Sequence, residues 1–332
     1  MAAEPGPTID TRESLAGIPS VIMENQVLRA VLLPSLGGKL ISLVDKRTDS
    51  DLLWRNSRIP LQEPEFGSDY DDQFVGGWDE IFPNDIPEVL AGNALPDHGE
   101  LWSVPWAYAA GAGTGAVSTE LRIVGPVTGV EAVKTLTLGT DARLVVGYRL
   151  HNPTPRPLPF LWKAHVALAL DPDTMIDLPS GPILIEDFGS PRARPIGNTF
   201  DWPGFDRDGV RHDFRRLPDS PSGPVSEFLL ATSPADGACG VRHPSRGTGL
   251  RLSWDLDALP SCWLFASYGG WRGLEVLVLE PCTGYPVSVV EGVDQQTHKV
   301  LDPGATLTWT ITAELDGRAW VAEWDNGTAG RR

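Results

Sequence analysis

Glu280 closes the apolar run Glu275-Val276-Leu277-Val278-Leu279-Glu280 and is followed by Pro281, whose ring keeps residue 280 extended and stops ladder pairing. A carboxylate placed there stands at the mouth of a buried strand. Its alternation partners Val276 and Val278 are apolar, so desolvation raises its pKa and makes it a better base near neutral pH. His165 lies in Phe160-Leu161-Trp162-Lys163-Ala164-His165-Val166, where a period of two puts Leu161, Lys163 and His165 on one face and Trp162, Ala164 and Val166 on the other. A face that carries both Lys and His looks towards water or a polar cleft. His98 sits in the tight irregular segment Pro96-Asp97-His98-Gly99, with Trp102 and Trp106 just beyond. Two imidazoles and one carboxylate among aromatics suit proton transfer on a sugar, provided the fold assembles them. Each also has a plainer reading: Glu280 as a strand-end glutamate paired with arginine or water, His165 as a surface or hydrogen-bonded core histidine, His98 as turn filler.

The chain has twelve tryptophans in 332 residues. Pyranose rings lay their C–H faces on indole, so Trp54, Trp78, Trp102, Trp106 and Trp162 are candidates for such a platform. Most of the twelve are expected in the core.

The elements that must position these groups read as strands. Apolar or alternating runs recur at Val27 to Leu33, Lys39 to Val44, Val133 to Leu138, Leu144 to Leu150, Phe160 to Leu170, Phe228 to Ala231, Leu250 to Trp254, Glu275 to Glu280 and Thr306 to Ala313. None is followed by a convincing capped helix. Threonines alternate with larger apolar residues over Thr306 to Ala313, an antiparallel pattern with one face towards a core. Glycine (35) and proline (30) together form about a fifth of the chain, above the ~12% of average composition. The long segments at roughly 55 to 100 and 185 to 225 are rich in Pro, Gly and Asp, and such loops are more often functional than idle.

Composition removes several function classes. Acidic residues outnumber basic ones by 44 to 27 and the formal charge is -17, which disfavours nucleic acid and anionic membranes as partners. Cys239, Cys262 and Cys282 are odd in number and lack metal-finger spacing. The N-terminus has neither a basic nor an apolar leader region, and no window approaches ~18 apolar residues. The expectation is a soluble cytoplasmic protein with frayed ends at 1–15 and 325–332 and a single all-β domain over 16–324.

Taken in order, these stretches resemble the galactose mutarotase-like family, which includes aldose 1-epimerases and hexose-phosphate epimerase relatives. The resemblance runs from Leu28-Arg29-Ala30-Val31-Leu32-Leu33-Pro34-Ser35-Leu36-Gly37-Gly38, through Gly77-Trp78-Asp79-Glu80-Ile81-Phe82-Pro83 and His98-Gly99, to Leu279-Glu280-Pro281-Cys282-Thr283-Gly284. It implies a β-supersandwich of packed antiparallel sheets with the sugar site on a concave sheet face. It further implies Glu280 as the general base, His165 as the general acid at the ring oxygen, and His98 as a sugar clamp that shares in stabilising charge. Trp78, Asp79, Glu80, Trp102 and Lys163 join the implied sugar-binding set, with no metal or organic cofactor. The family's sugar-binding arginine corresponds to Arg55 or Arg58, with Arg58 taken, and its mid-chain aspartate to Asp201 or Asp206, with Asp201 taken.

Few basic residues stand near His98 or His165 in sequence, which points to a neutral sugar, although loops could supply Arg192, Arg194 or Arg207 to a phosphate. The expected partner is a small sugar, met by a monomer or homodimer. Two other readings fit the same scaffold. One is a catalytically silent carbohydrate-binding protein, which would need no matched acid and base. The other is a lyase or an epimerase at another carbon; a lyase would need an arginine, tyrosine or metal close to the base to neutralise a uronate carboxylate, and the nearest candidate to Glu280 is Tyr285.

Overall fold

The computed structural model describes residues 6–186, 195–207, 209–218 and 223–315. The expected tail 325–332 and the basic candidates Arg192 and Arg194 lie outside the described residues. Within them the chain forms two large antiparallel sheets. In the twelve-stranded sheet, Leu28–Leu33, Lys39–Asp45, Trp78–Ile81, Lys163–Leu168, Glu275–Cys282, Ser261–Tyr268 and Val225–Ala231 are successive neighbours. The eight-stranded sheet runs Ala107–Gly113, Ala116–Val124, Glu131–Leu138, Arg143–His151, Thr306–Leu315, Thr248–Trp254, Ala238–His243, Met175–Asp177.

Alternation explains how the sheets meet. Trp162, Ala164, Val166, Leu277 and Leu279 from the larger sheet pack with Leu144, Val146, Leu252, Ile311 and Ala313 from the smaller one in a common core. Fully burying one such aliphatic side chain contributes about 1.5–3 kcal/mol. Residues one step along the larger sheet's strands, among them Lys163, His165, Val278 and Glu280, therefore face the opposite way, and they line a cavity there. The face division expected over residues 161–166 is the one observed.

The expected strands are present except that Phe160 to Leu170 is broken, its Phe160 belonging to a strand paired with Lys299–Leu301 and Lys163–Leu168 joining the larger sheet, and several strands were missed. Ser261–Tyr268 is almost wholly buried on both faces, so it has no alternation to read. Ala107–Gly113 is exposed throughout and rich in small residues, and only its pairing with Ala116–Val124 makes it a strand. Short strands also cross the two segments taken as irregular, at Glu88–Leu90, Asn93–Leu95, Gly204–Arg207 and Val210–Asp213. Within the stretch 1–15 expected to fray, Thr8–Asp10 pairs with Met23 and its neighbours at the sheet edge. One capped helix was also missed: Val289–Asp294 is N-capped by Ser288, whose hydroxyl accepts from the Glu291 amide.

Candidate active site

Three adjacent strands carry the central groups. Lys163–Leu168 lies between Trp78–Ile81 and Glu275–Cys282, with His165 opposite Asp79 and Lys163 opposite Cys282. The entry to the first of these strands depends on Gly76 and Gly77, both at positive φ. A β-carbon would meet the Trp54 carbonyl oxygen at 2.1 Å from Gly76, and that of Leu40 at 2.7 Å from Gly77, so only glycine permits the approach.

The remaining groups arrive on loops. Buried Asn84 donates to the carbonyls of Ile86 and Pro96, each at 2.7 Å, and joins the segment bearing Asp85 to the one bearing His98. The His98 amide donates to the Asp85 carbonyl at 2.7 Å. His98 itself sits at φ 54, a conformation that costs a non-glycine residue of order 1–3 kcal/mol and concentrates at functional sites. Asp97 ties a third segment in, accepting from the Tyr70 amide at 2.8 Å and holding His98 Nδ1 at 2.9 Å. The Tyr70 ring stacks on His98 with centroids 4.1 Å apart.

The result is a cavity of about 410 Å³ lined by Lys163, His165, Glu280, His98, Tyr70, Asp85, Asp97, Asp69 and Asp71, with apolar walls from Phe74, Phe228, Phe265 and Trp271. Lys163 Nζ sits between Asp85 Oδ1 and Glu280 Oε2, 2.6 Å from each. It also lies 4.6 Å from the Trp263 ring centroid. Burial opposes its charge, but the carboxylates of Asp85 and Glu280 outweigh that and hold the ammonium above its ordinary pKa.

Glu280 is 2% exposed. Burial raises its pKa, assisted by the nearby Asp85 charge and opposed by Lys163, as its apolar strand neighbours led us to expect. Its second oxygen, Oε1, faces His165 Nε2 at 3.9 Å. The two histidines diverge. Burial works against charge on His98, but Asp85 and Asp97 prevail and raise its pKa. Burial lowers that of His165 well below the usual value, and the charges of Lys163, His98 and Lys39 push it the same way. The site thus favours the uncharged form of His165 and the charged form of His98.

Other expected site residues fall elsewhere. Asp79 is beneath the cavity floor, ion-paired with Lys39 at 2.5 Å and accepting from Tyr70 Oη at 2.8 Å. Glu80, one residue on, faces the opposite way into the intersheet core, paired with Lys134 at 2.7 Å and bonded to Tyr148. Strand alternation forces this split. None of Trp54, Trp78, Trp102, Trp106 and Trp162 lines the cavity. Trp78 and Trp162 are core residues, and Trp102 packs edge-on against Tyr70. Arg58 donates to the carbonyls of Arg272 and Gly273 at 2.9 and 2.6 Å, bracing the loop that presents Trp271. Asp201 is exposed at the far edge of the larger sheet, and Tyr285 is also absent from the lining. Tyr70, Asp85, Asp69, Asp71 and Trp271 were missed. For Asp85, the one available signal was its place directly after Phe82-Pro83-Asn84.

Among the described residues no cluster of three or more His, Cys, Asp or Glu is arranged for a metal, and no helix is long and apolar enough to cross a membrane. The three cysteines are buried and unpaired.

No family model matches the chain, nor does any curated protein. Solved structures do. A TPR-domain containing protein from Parabacteroides distasonis aligns with a TM-score of 0.66 and 19% identity over 91% of this chain and 47% of its own, so this chain spans about half its length. A galactose mutarotase-like protein from Clostridium acetobutylicum gives a TM-score of 0.68 and 15% identity over 93% of this chain and 98% of its own. A protein from Klebsiella pneumoniae, provisionally named an aldose 1-epimerase, gives 0.68 and 15% over 97% and 87%. At such identities the likeness speaks to fold alone. Together with the two antiparallel sheets and the cavity on the larger one, it gives the chain the galactose mutarotase-like fold that its motifs led us to expect.

Proposed function

We propose that the cavity interconverts the α and β anomers of a sugar by acid–base opening and closing of the ring. The observation that carries this reading is the meeting, in one cavity, of a buried carboxylate that keeps an oxygen free of its lysine partner and two imidazoles whose surroundings shift their pKa values in opposite directions. Ring opening needs a base at the anomeric hydroxyl and an acid at the ring oxygen together. In this mechanism Glu280 takes the hydroxyl proton, the C1–O1 bond gains double-bond character, and the C1–O5 electron pair passes to O5. A proton from His98 completes the open aldehyde. Rotation of the aldehyde end and reversal of the steps on its other face give the second anomer, with both groups restored.

Lys163 stabilises the Glu280 carboxylate and orients it. The cavity lining carries five carboxyl groups against one lysine and no arginine, a balance that favours an uncharged sugar over a phosphorylated one. Phe74 and Trp271 supply the apolar faces against which pyranose C–H groups pack.

The test is NMR-followed interconversion of fresh α-D-glucose, α-D-galactose and other aldoses above the spontaneous rate. Acceleration by the native protein, lost in Glu280→Gln, is the expected result. If no aldose responds, the anomer-interconverting reading fails.

A further inference from the structure

From Tyr70 at the cavity wall a chain of buried polar groups, which the proposed reaction does not itself use, runs beneath the floor to Asp79 and Lys39 and meets His165 at Nδ1. Lys39 Nζ lies 2.5 Å from Asp79 Oδ2, Tyr70 Oη lies 2.8 Å from the same oxygen, and His165 Nδ1 lies 3.1 Å from Tyr70 Oη. Lys39, Asp79, Tyr70 and His165 are all buried.

The directions of these bonds follow from proton counting. An ammonium only donates, and Lys39 also gives a proton to the Gly76 carbonyl at 3.1 Å. Asp79 Oδ2 therefore accepts. A phenol has one proton, and here it goes to the carboxylate, the stronger acceptor. Tyr70 Oη then meets His165 as an acceptor, so Nδ1 must carry the hydrogen. A neutral imidazole has only one N–H. Nε2, which faces Glu280 Oε1 across 3.9 Å, is left with its lone pair.

We propose that the Lys39–Asp79–Tyr70 chain holds His165 in its Nδ1–H tautomer, so that its bare Nε2 accepts a hydrogen bond from a substrate hydroxyl and does not supply a proton. The identity of that donor rests on the sugar-epimerising reading; the tautomer does not. Both groups facing across the gap are then acceptors, and a hydroxyl oxygen about 2.8 Å from either one fits between or beside them. Tyr70, Asp79 and Lys39 are positioning residues, which act through His165 without touching the reacting atoms. A site built to receive a hydroxyl proton discriminates strongly against analogues that lack it, because its acceptor would stay buried and unpaired.

The test needs no sugar and no turnover, so it is independent of the proposed activity. Protein labelled with ¹⁵N at histidine is studied at neutral pH by long-range ¹H–¹⁵N correlation, with the His165 ring assigned through its disappearance in His165→Asn. The expected spectrum has a protonated, pyrrole-type Nδ1 and a bare, pyridine-type Nε2. In Tyr70→Phe, which keeps the ring stacked on His98 and removes only the hydroxyl, the pattern shifts towards the Nε2–H form. A native spectrum with hydrogen on Nε2 overturns the proposal. A native Nδ1–H form unaltered in Tyr70→Phe overturns the part assigned to the relay. Absence of epimerase activity with the expected spectra would leave the relay standing and remove only the sugar.

Discussion

Lys134 with Glu80 and Lys163 with Glu280 are made of the same two residue types, at 2.7 and 2.6 Å, and all four side chains are 2% exposed or less. Burial raises the pKa of both glutamates. What separates them is spare bonding capacity. Both oxygens of Glu80 are engaged, by Lys134 and by the Tyr148 hydroxyl, and apolar residues of both sheets close around them. Glu280 gives Oε2 to Lys163 and presents Oε1 to a cavity and a bare imidazole nitrogen. A buried charge with a raised pKa is therefore a poor marker of function by itself, and an acceptor left over beside a void is the better one.

Substitutions at the two glutamates should separate sharply. Glu280→Gln keeps shape but removes the base, and turnover should fall by about 10²–10⁴-fold with sugar affinity largely kept; polarimetry with fluorescence titration measures both. Unchanged turnover would place Glu280 with Glu80 as a structural group. Glu80→Gln should do the reverse. Depriving Lys134 of its countercharge costs about 3–5 kcal/mol of stability, read as a lower urea midpoint, while turnover of the folded fraction stays within a few-fold of native.

Titration sharpens the contrast further. His98 has its folded pKa raised above the usual ~6.5, so its charged form is complete at low pH and is lost as pH rises through the raised value. Turnover limited by His98 as donor should therefore fall about tenfold per pH unit above that value, and stability drawn from the His98 charge should fade over the same rise. A rate that increases there would instead make His98 a base. The smallest effect belongs to Arg58. Arg58→Ala frees the Arg272 and Gly273 carbonyls and loosens the loop carrying Trp271, so KM should rise a few-fold with kcat nearly unchanged. A loss comparable to that of Glu280→Gln would show that Arg58 meets the sugar.

What could be read in the sequence was what strands encode locally. Glu280, Lys163 and His165 share a face with apolar neighbours whose alternation is visible, and their exposure to one cavity follows from it. The same rule, applied to Trp78-Asp79-Glu80, would have separated Asp79 from Glu80, since consecutive residues cannot both face the site. Tyr70, Asp85 and Trp271 arrive on loops placed by distant carbonyls and by Asn84 and Arg58, and no local periodicity records such contacts. The tryptophans misled because a large buried sheet pair uses indole as filler. Trp162 and Trp309 meet edge to face in the core at 4.7 Å, where no sugar reaches.

The strand order has a temporal consequence. Lys163 is laid against Ile81 on one side and Cys282 on the other, so the floor of the cavity joins segments 82 and 119 residues apart. Such distant pairings must pay loop-closure entropy before they are rewarded, and they form slowly. During synthesis Glu280 emerges long after both histidines, and the cavity floor is among the last surfaces to be completed. An N-terminal fragment that has already acquired His98 and His165 holds both imidazoles of the cavity and lacks the wall that Phe228, Phe265, Trp271 and Glu280 complete.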